Sequence, residues 1–480
     1  MLIASGPERT IQAPADGAEV GSIRESTVGD VATAVAAARR SLDDWRRAAP
    51  HDRAEILACG ATLLREQTDE IGLLHARESG KVITQARKEV AGAAALLEEN
   101  AHIGRFDAGY LAPTGALPGG ERDLTIVERV PLGVIVCVIP FNFPVELTIE
   151  KAGAALAAGN TVVLKPPPQN PLATIAAAQA LIDAGLPAGV LTVLPGGRDV
   201  SAALCEAPGV DAVSLTGSVG AGVAVARATA HLLRPLHLEL GGNGAAVVMD
   251  DADLDLVVSE TLRGRMLMNG QACAATKRLV VHRSVASDVV DRLKEALGSV
   301  RVGDPTDETS EVGPLIDATS AGRVAGQVAN AVAQGGTLVR GSSAAADAWF
   351  APALLGEVPA GADVAADDEI FGPVVTTIPF DDDDESVRIV NSSQLALTAA
   401  VFSSDIPRAM AAAEQFQVGG VVINGTNNYR PPVVPFGGVG LAGAGREGIG
   451  YTYEDLTRTR FIAIKGLRPA GIPTDGGRDG

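Results

Sequence analysis

The chain has 480 residues, 46% of them hydrophobic. That is enough to bury a large core divided among roughly two to four structural units, and too apolar for disorder throughout. Its 39 basic residues against 58 acidic ones give a net charge of −19, which argues against a nucleic-acid or anionic-membrane surface and for a soluble metabolic protein.

Residues 1–30 read as an extended lead-in with short strands around Gln12 to Ile23. Ala- and Leu-rich segments at helical spacing follow to about Glu98, among them Val31 to Arg40 and Arg53 to Gln67. The Gly- and Pro-rich stretch Pro113 to Glu121 marks a boundary, and Asp123 to Arg129 is a short strand that breaks at Pro131. Strand and helix then alternate. Gly133 to Ile139, Thr161 to Lys165, Leu191 to Leu194 and Asp211 to Thr216 are strands; Glu146 to Ala158, Pro171 to Ala184 and Val219 to Ala230 are helices. Such alternation predicts a parallel sheet covered on both faces, as in dinucleotide-binding folds. A second α/β series runs from Ala245 to Ile423, with strands at Lys277 to His282, Val374 to Pro379 and Ala399 to Phe402, and predicts a second open sheet. The run Asp381-Asp382-Asp383-Asp384-Glu385 reads as a solvated helix start, where carboxylates meet the positive end of the dipole. A strand from Arg460 to Lys465 and a Gly/Pro-rich tail expected to be mobile close the chain.

The cysteines Cys59, Cys137, Cys205 and Cys273 are far apart, with no C-x-x-C pair, and the six histidines offer no H-x-x-x-H site, so no metal is expected. A reducing cytosol is the expected compartment, since neither a leader segment nor a membrane span is evident. Cys59, Cys137 and Cys205 fall in helical or strand patterns and read as packing residues. Cys273 differs. It ends Asn269-Gly270-Gln271-Ala272-Cys273, between a helix at Val257 to Met268 and a strand from Lys277, so it is expected on a tight connection at the edge of a sheet. There a thiol near backbone N–H groups can ionise and meet a substrate. Gly217-Ser218-Val219-Gly220-Ala221-Gly222 joins a strand to a helix and suits a diphosphate at the helix N-terminus. A formally better G-x-G-x-x-G at Gly438, Gly440 and Gly443 is rejected, because no strand runs into it and no helix opens from it.

Four signatures, Pro140-Phe141-Asn142-Phe143-Pro144, Leu238-Glu239-Leu240-Gly241-Gly242-Asn243, the Cys273 stretch and Glu369-Ile370-Phe371-Gly372-Pro373, resemble the aldehyde dehydrogenase superfamily in letters, order and spacing. Glu78-Ser79-Gly80-Lys81, Pro435-Phe436-Gly437-Gly438 and Gly445-Arg446-Glu447 extend the likeness over nearly the whole chain. The resemblance implies NAD or NADP as cofactor and an aldehyde as substrate. Cys273 would be the nucleophile, Glu239 the base that activates water, Asn142 a donor to the oxyanion, and Lys151 a proton-relay lysine. Lys165 would hold the adenosine ribose, Gly217, Ser218 and Gly222 the diphosphate, and Leu240, Glu369 and Phe371 the nicotinamide side. A tunnel near Glu146, Leu147, Glu150, Met266, Leu267, Ala274 and Thr426 to Arg430 would take the substrate; Arg265 or Arg430 could meet an anionic group there, but solvent is the expected place of each.

The implied architecture is α/β: a Rossmann-like cofactor domain (1–120 and 131–240), a second open α/β catalytic domain (241–424), and a small β oligomerisation arm (121–130 and 455–467). A flexible tail (468–480) follows, and the assembly would be a homodimer or homotetramer. Pro168 stands where the family often has a glutamate that holds both ribose hydroxyls, which leaves NADP open. Phe141 replaces a tryptophan, Gly440 and Ala442 replace a lysine and serine, and Met268 an asparagine; these touch pocket detail and not the reaction. Two rival readings are a CoA-acylating dehydrogenase, against which Glu239 counts, and a non-catalytic protein that keeps the scaffold.

Overall fold

The runs Val134–Val138 and Thr161–Lys165 are apolar without alternation because each is buried on both faces of a sheet flanked by helices. In the computed structural model, which describes residues 1–107 and 109–467, they are inner strands of a six-stranded sheet. Its order is Gly443–Ala444, Leu236–Glu239, Ala212–Thr216, Val134–Val138, Thr161–Lys165 and Leu191–Val193, all parallel except the first. From Val134–Val138 the chain adds strands to one side as far as Leu191–Val193, then returns to lay Ala212–Thr216 on the other. The order therefore reverses between Val134–Val138 and Ala212–Thr216, and ligands of such sheets bind beyond the carboxyl ends of the strands at that reversal.

The second sheet has seven strands in the order Thr337–Arg340, Ala353–Gly356, Val374–Phe380, Arg278–His282, Ala245–Val248, Thr398–Phe402 and Gly420–Ile423; only the first is antiparallel to its neighbour. Each sheet has its own cores, one around Leu57, Leu97, Leu156 and Leu181, another around Val247, Val280, Val328 and Phe380. A third, antiparallel sheet joins Thr457–Ile464, Leu124–Pro131 and Tyr110–Ala112. Its strand from Thr457 leaves Phe461 71% exposed, and Tyr110 is 62% exposed. The acidic run is a helix start, with Asp382 accepting the N–H of Glu385 ahead of Asp383–Asn391. The rejected glycine motif is two short strands, Val439–Gly440 and Gly443–Ala444, with no helix between them.

Several expectations need correction. The helix before Cys273 spans Leu254–Met266, and Met268 and Asn269 take left-handed φ of 50° and 57°. Asn269 tolerates that conformation because its buried amide donates to the carbonyls of Gly80 (2.8 Å) and Pro314 (2.7 Å) and accepts from the N–H of Gly313 (2.8 Å). Cys273 leads into Arg278–His282, the fourth of seven strands, and so into the middle of the sheet rather than its edge. The strand from Leu124 runs through Pro131, which sits at the strand end where its missing N–H breaks little of the ladder. Cys59 is exposed: the buried stripe of Pro50–Glu66 is Leu57, Gly60, Ala61 and Leu64, and Cys59 lies off it. The expected tail at 468–480 falls outside the described residues.

Candidate active site

At the strand reversal a cavity of about 640 Å³ runs between the two large sheets. Its wall brings together Cys273, Glu239 and Asn142 with Gly217, Ser218, Leu240, Glu369 and Phe371. Eight tunnel positions can be sorted by side chain. Glu146, Leu147, Leu267, Ala274, Asn428 and Arg430 line the cavity, whereas Glu150 turns away to accept the N–H of Gly448 at 2.9 Å. Met266 lines an adjoining pocket with Lys81 and Phe143.

Cys273 is held by its backbone. Lys277, 2% exposed, donates to the carbonyls of Gly242 (2.5 Å), Ala272 (2.8 Å) and Cys273 (2.6 Å) and pairs with Glu369 Oε1 at 2.8 Å. Asn142, on the loop after Val134–Val138, donates its amide to the Gln271 carbonyl at 3.0 Å, two residues before the thiol. Gly242 must be glycine here, since a Cβ would meet the Cys273 oxygen at 2.8 Å. Burial pushes the Cys273 thiol up to about 11, against the weaker opposite pull of Lys277 and Arg430. Replacing Lys277 with Met strands three buried carbonyls and one carboxylate; K277M should lose about 3 kcal/mol of stability, read from the denaturant midpoint, and turnover with it.

Glu239 ends the strand Leu236–Glu239, and its neighbour Gly443 has φ +137°, where a Cβ would strike the Leu238 oxygen at 2.2 Å. The carboxyl is 3% exposed, and its Oε1 accepts no hydrogen bond from any described residue. Burial, and then the charge of Glu447, raise it well above the ordinary carboxylate range. Glu447 goes the other way. Burial opposes its charge, but Lys151, Arg430 and His237 outweigh that and hold it down at about 2. Its Oε1 accepts from Lys151 Nζ (3.0 Å) and Thr216 Oγ1 (3.3 Å), and its Oε2 from Arg430 Nη2 (2.7 Å).

Lys151 is therefore not a solvated helix lysine. It is fully buried within Ile149–Gly153, a widened π turn inside the helix that starts at Pro144. Lys165 ends its strand 3% exposed, and burial, then Arg9, lower it to about 8. Ser218 caps Val219–Thr229, accepting the N–H of Ala221 at 3.2 Å. Gly222 does not line the cavity; a Cβ there would meet Leu240 Cδ1 at 2.5 Å, so its smallness lets the helix pack against the cavity wall. Phe371 meets Phe141 edge-on with centroids 5.9 Å apart.

Neither arginine expected in solvent is there. Arg265 is buried and donates to the carbonyls of Val374 (2.5 Å) and Ile370 (2.8 Å). Arg430 lies 4.3 Å over the Phe436 ring and is bonded to Glu447. Glu447 and Lys277 were missed as site residues. The signal for Glu447 was Lys151 itself, since a lysine in the apolar Ala-rich stretch after Glu146 needs a buried counter-charge.

Comparison with known proteins agrees with this geometry. The family model described as "Aldehyde dehydrogenase family" matches residues 4–462. The 3-sulfolactaldehyde dehydrogenase of Priestia aryabhattai is 36% identical over 92% of each chain. The succinate-semialdehyde dehydrogenase [NADP(+)] of Escherichia coli is 34% identical over 94% of this chain and 93% of its own. The solved NADP-dependent glyceraldehyde-3-phosphate dehydrogenase of Bacillus halodurans, complexed with NADP, superposes with a TM-score of 0.92 at 34% identity, covering 96% of both chains. With the expected α/β architecture and the family's signatures in one cavity, the chain belongs to the aldehyde dehydrogenase family.

Proposed function

We propose that the protein oxidises an aldehyde to a carboxylic acid with NAD(P)+ and that the reaction runs on Cys273. The observation that carries this reading is the meeting of a thiol, a carboxamide and a buried carboxyl in one cavity that begins at a capped helix N-terminus. The cavity fits a dinucleotide. Gly217 and Ser218 open it at the sheet reversal, where helix N–H groups suit a diphosphate, and Leu240, Glu369 and Phe371 line it toward Cys273. Lys165, at the end of the strand Thr161–Lys165 and just before cavity residues Pro167 and Pro168, would hold the adenosine ribose. When bound, the nicotinamide accepts the hydride that the substrate carbon releases.

The chain's own residues do the rest. Cys273 adds to the carbonyl carbon, and Asn142 and the Cys273 N–H donate to the oxygen, whose charge must be held while the hydride leaves. The thiol must first lose its proton, and Glu239 is the nearby acceptor. The thioester that results is hydrolysed by water that Glu239 deprotonates, with Lys151 and Glu447 behind it as a proton path. Water and not CoA resolves the thioester, because a base stands ready beside it.

The cofactor domain comprises 1–120 and 131–240, the catalytic domain 241–424, and the arm 121–130 and 455–467. The arm's exposed Phe461 and, across Val127 on the neighbouring strand, Tyr110 share one face of the small sheet, an apolar surface suited to pairing with a second copy as a homodimer or homotetramer. The wall by Phe143, Leu147, Leu267 and Phe436 admits a modest aliphatic or aromatic aldehyde.

An aldehyde panel assayed with both cofactors tests the reading. Free acid, not acyl-CoA, should accumulate. Arg9 donates to the Pro168 carbonyl at 2.7 Å beside Lys165, and position 168 carries no carboxylate to repel a 2′-phosphate. kcat/KM with NADP+ should therefore lie within about tenfold of that with NAD+. A strong preference for NAD+ would overturn the cofactor reading, and acyl-CoA as product the hydrolytic one.

A further inference from the structure

Arg430 is poorly placed to greet a charged substrate. Its guanidinium is already 2.7 Å from Glu447, 3.8 Å from Glu150 and 3.9 Å from Glu146, so a substrate anion would enter a surplus of negative charge. The contacts point inward instead. Phe436 under the guanidinium exchanges backbone hydrogen bonds with Glu447 in both directions (2.9 and 2.6 Å), so Arg430, Phe436 and Glu447 form one connected set of contacts.

We infer that Arg430 is a positioning residue for thioester hydrolysis: it fixes Glu447 as a charged group turned to Lys151, which leaves Glu239 as the carboxyl that exchanges protons at the reacting centre. The inference rests on Glu239 being the base. Glu447 has two oxygens, and each is committed, Oε1 to Lys151 and Thr216, Oε2 to Arg430. Without Arg430 one oxygen is freed, and the two buried carboxyls would compete for a single proton. The charged and titratable groups facing the pair are Lys151 on the helix from Pro144, His237 on the strand of Glu239, Arg446 beside Glu447, Cys273 across the cavity, and Arg430, with Glu146 and Glu150 behind it. Of the cations, Arg430 alone is bonded to Glu447 from the cavity wall.

The test uses R430M and R430K in the full-length enzyme. Loss of a positive charge from the pair makes both carboxyls hold protons more tightly, so in R430M the ascending limb of the kcat–pH profile should move to higher pH by about one unit. The pre-steady-state burst of NAD(P)H should keep its amplitude, while turnover after it falls about tenfold, a fraction of what a general base supplies. R430K restores the charge and should bring the limb back. An R430M/E447Q cycle should be non-additive, since E447Q removes the group through which Arg430 acts; this comparison stands even where one variant is less stable. Any change in KM should be the same for an anionic and an uncharged aldehyde of similar size. A KM increase confined to the anionic aldehyde with the pH limb unmoved makes Arg430 a substrate clamp and overturns the inference, as does an additive cycle. If E239Q hydrolyses its thioester at the wild-type rate, the base assignment itself falls. If E239Q stalls while R430M titrates as wild type, only the role of Arg430 does.

Discussion

Cys273→Ala should abolish NAD(P)H formation from every aldehyde, lowering kcat/KM by at least about 10⁴-fold, because among the described residues of the cavity wall no second thiol stands ready to form the covalent adduct that makes hydride release possible. The fold should be indifferent. The side chain is small and half-buried, and its backbone is tied down by Lys277 and by the Asn142 contact with Gln271, which the substitution leaves alone. Thermal unfolding within a few degrees of wild type, with activity gone, is the expected pair of results. Cys59→Ala is the control: an exposed thiol off the buried stripe of its helix, whose loss should leave the rate unchanged. Residual turnover in C273A near the wild-type rate would mean that the chemistry sits elsewhere.

How much of this was legible follows from how local each cause is. The inner strands of both large sheets announce themselves because burial on two faces demands unbroken apolar runs, as at Val134–Val138. The four-residue strands Leu236–Glu239 and Ala353–Gly356 are too short to carry a period, and they were not anticipated. Met268 reads as helix because its own side chain does not forbid it; what turns it and Asn269 is a set of bonds that Asn269 makes with Gly80, Gly313 and Pro314. Charged residues fail in the same way. Lys151 and Glu447 are 296 positions apart, and Arg265 finds its acceptors more than 100 residues downstream. A reading that takes each charge singly assigns it to solvent, which is right on average and wrong wherever distant partners converge. Glu239 and Asn142 are marked by the family's motifs alone, Cys273 by its motif and by the helix-to-strand junction it sits on, and the structure brings the three to one cavity.

Glu239→Gln separates the two halves of the reaction. The first addition and hydride transfer should slow, since the thiol loses its proton acceptor, yet still outrun hydrolysis and give a burst of NAD(P)H near one equivalent per site, while the thioester persists and steady turnover falls about 10²–10³-fold for want of a base. The same substitution should act on stability in the opposite sense. A carboxyl whose folded pKa is raised binds its proton more tightly when folded, so it favours the folded state at low pH and that benefit is lost as pH rises from the unfolded value of 4.5 toward the folded one. Ionising Glu239 means placing a charge 3% exposed beside Glu447, with an oxygen that no described donor meets. Glutamine never ionises. E239Q should therefore match wild type near the acid end of the range and become the more stable of the two as pH climbs above neutrality, measured as Tm against pH. A variant that stalls after one turnover yet outlasts the wild type in alkali would identify Glu239 as a group kept in an unfavourable place for its chemistry. A variant that turns over freely, or whose Tm tracks wild type at every pH, would assign the base to another residue.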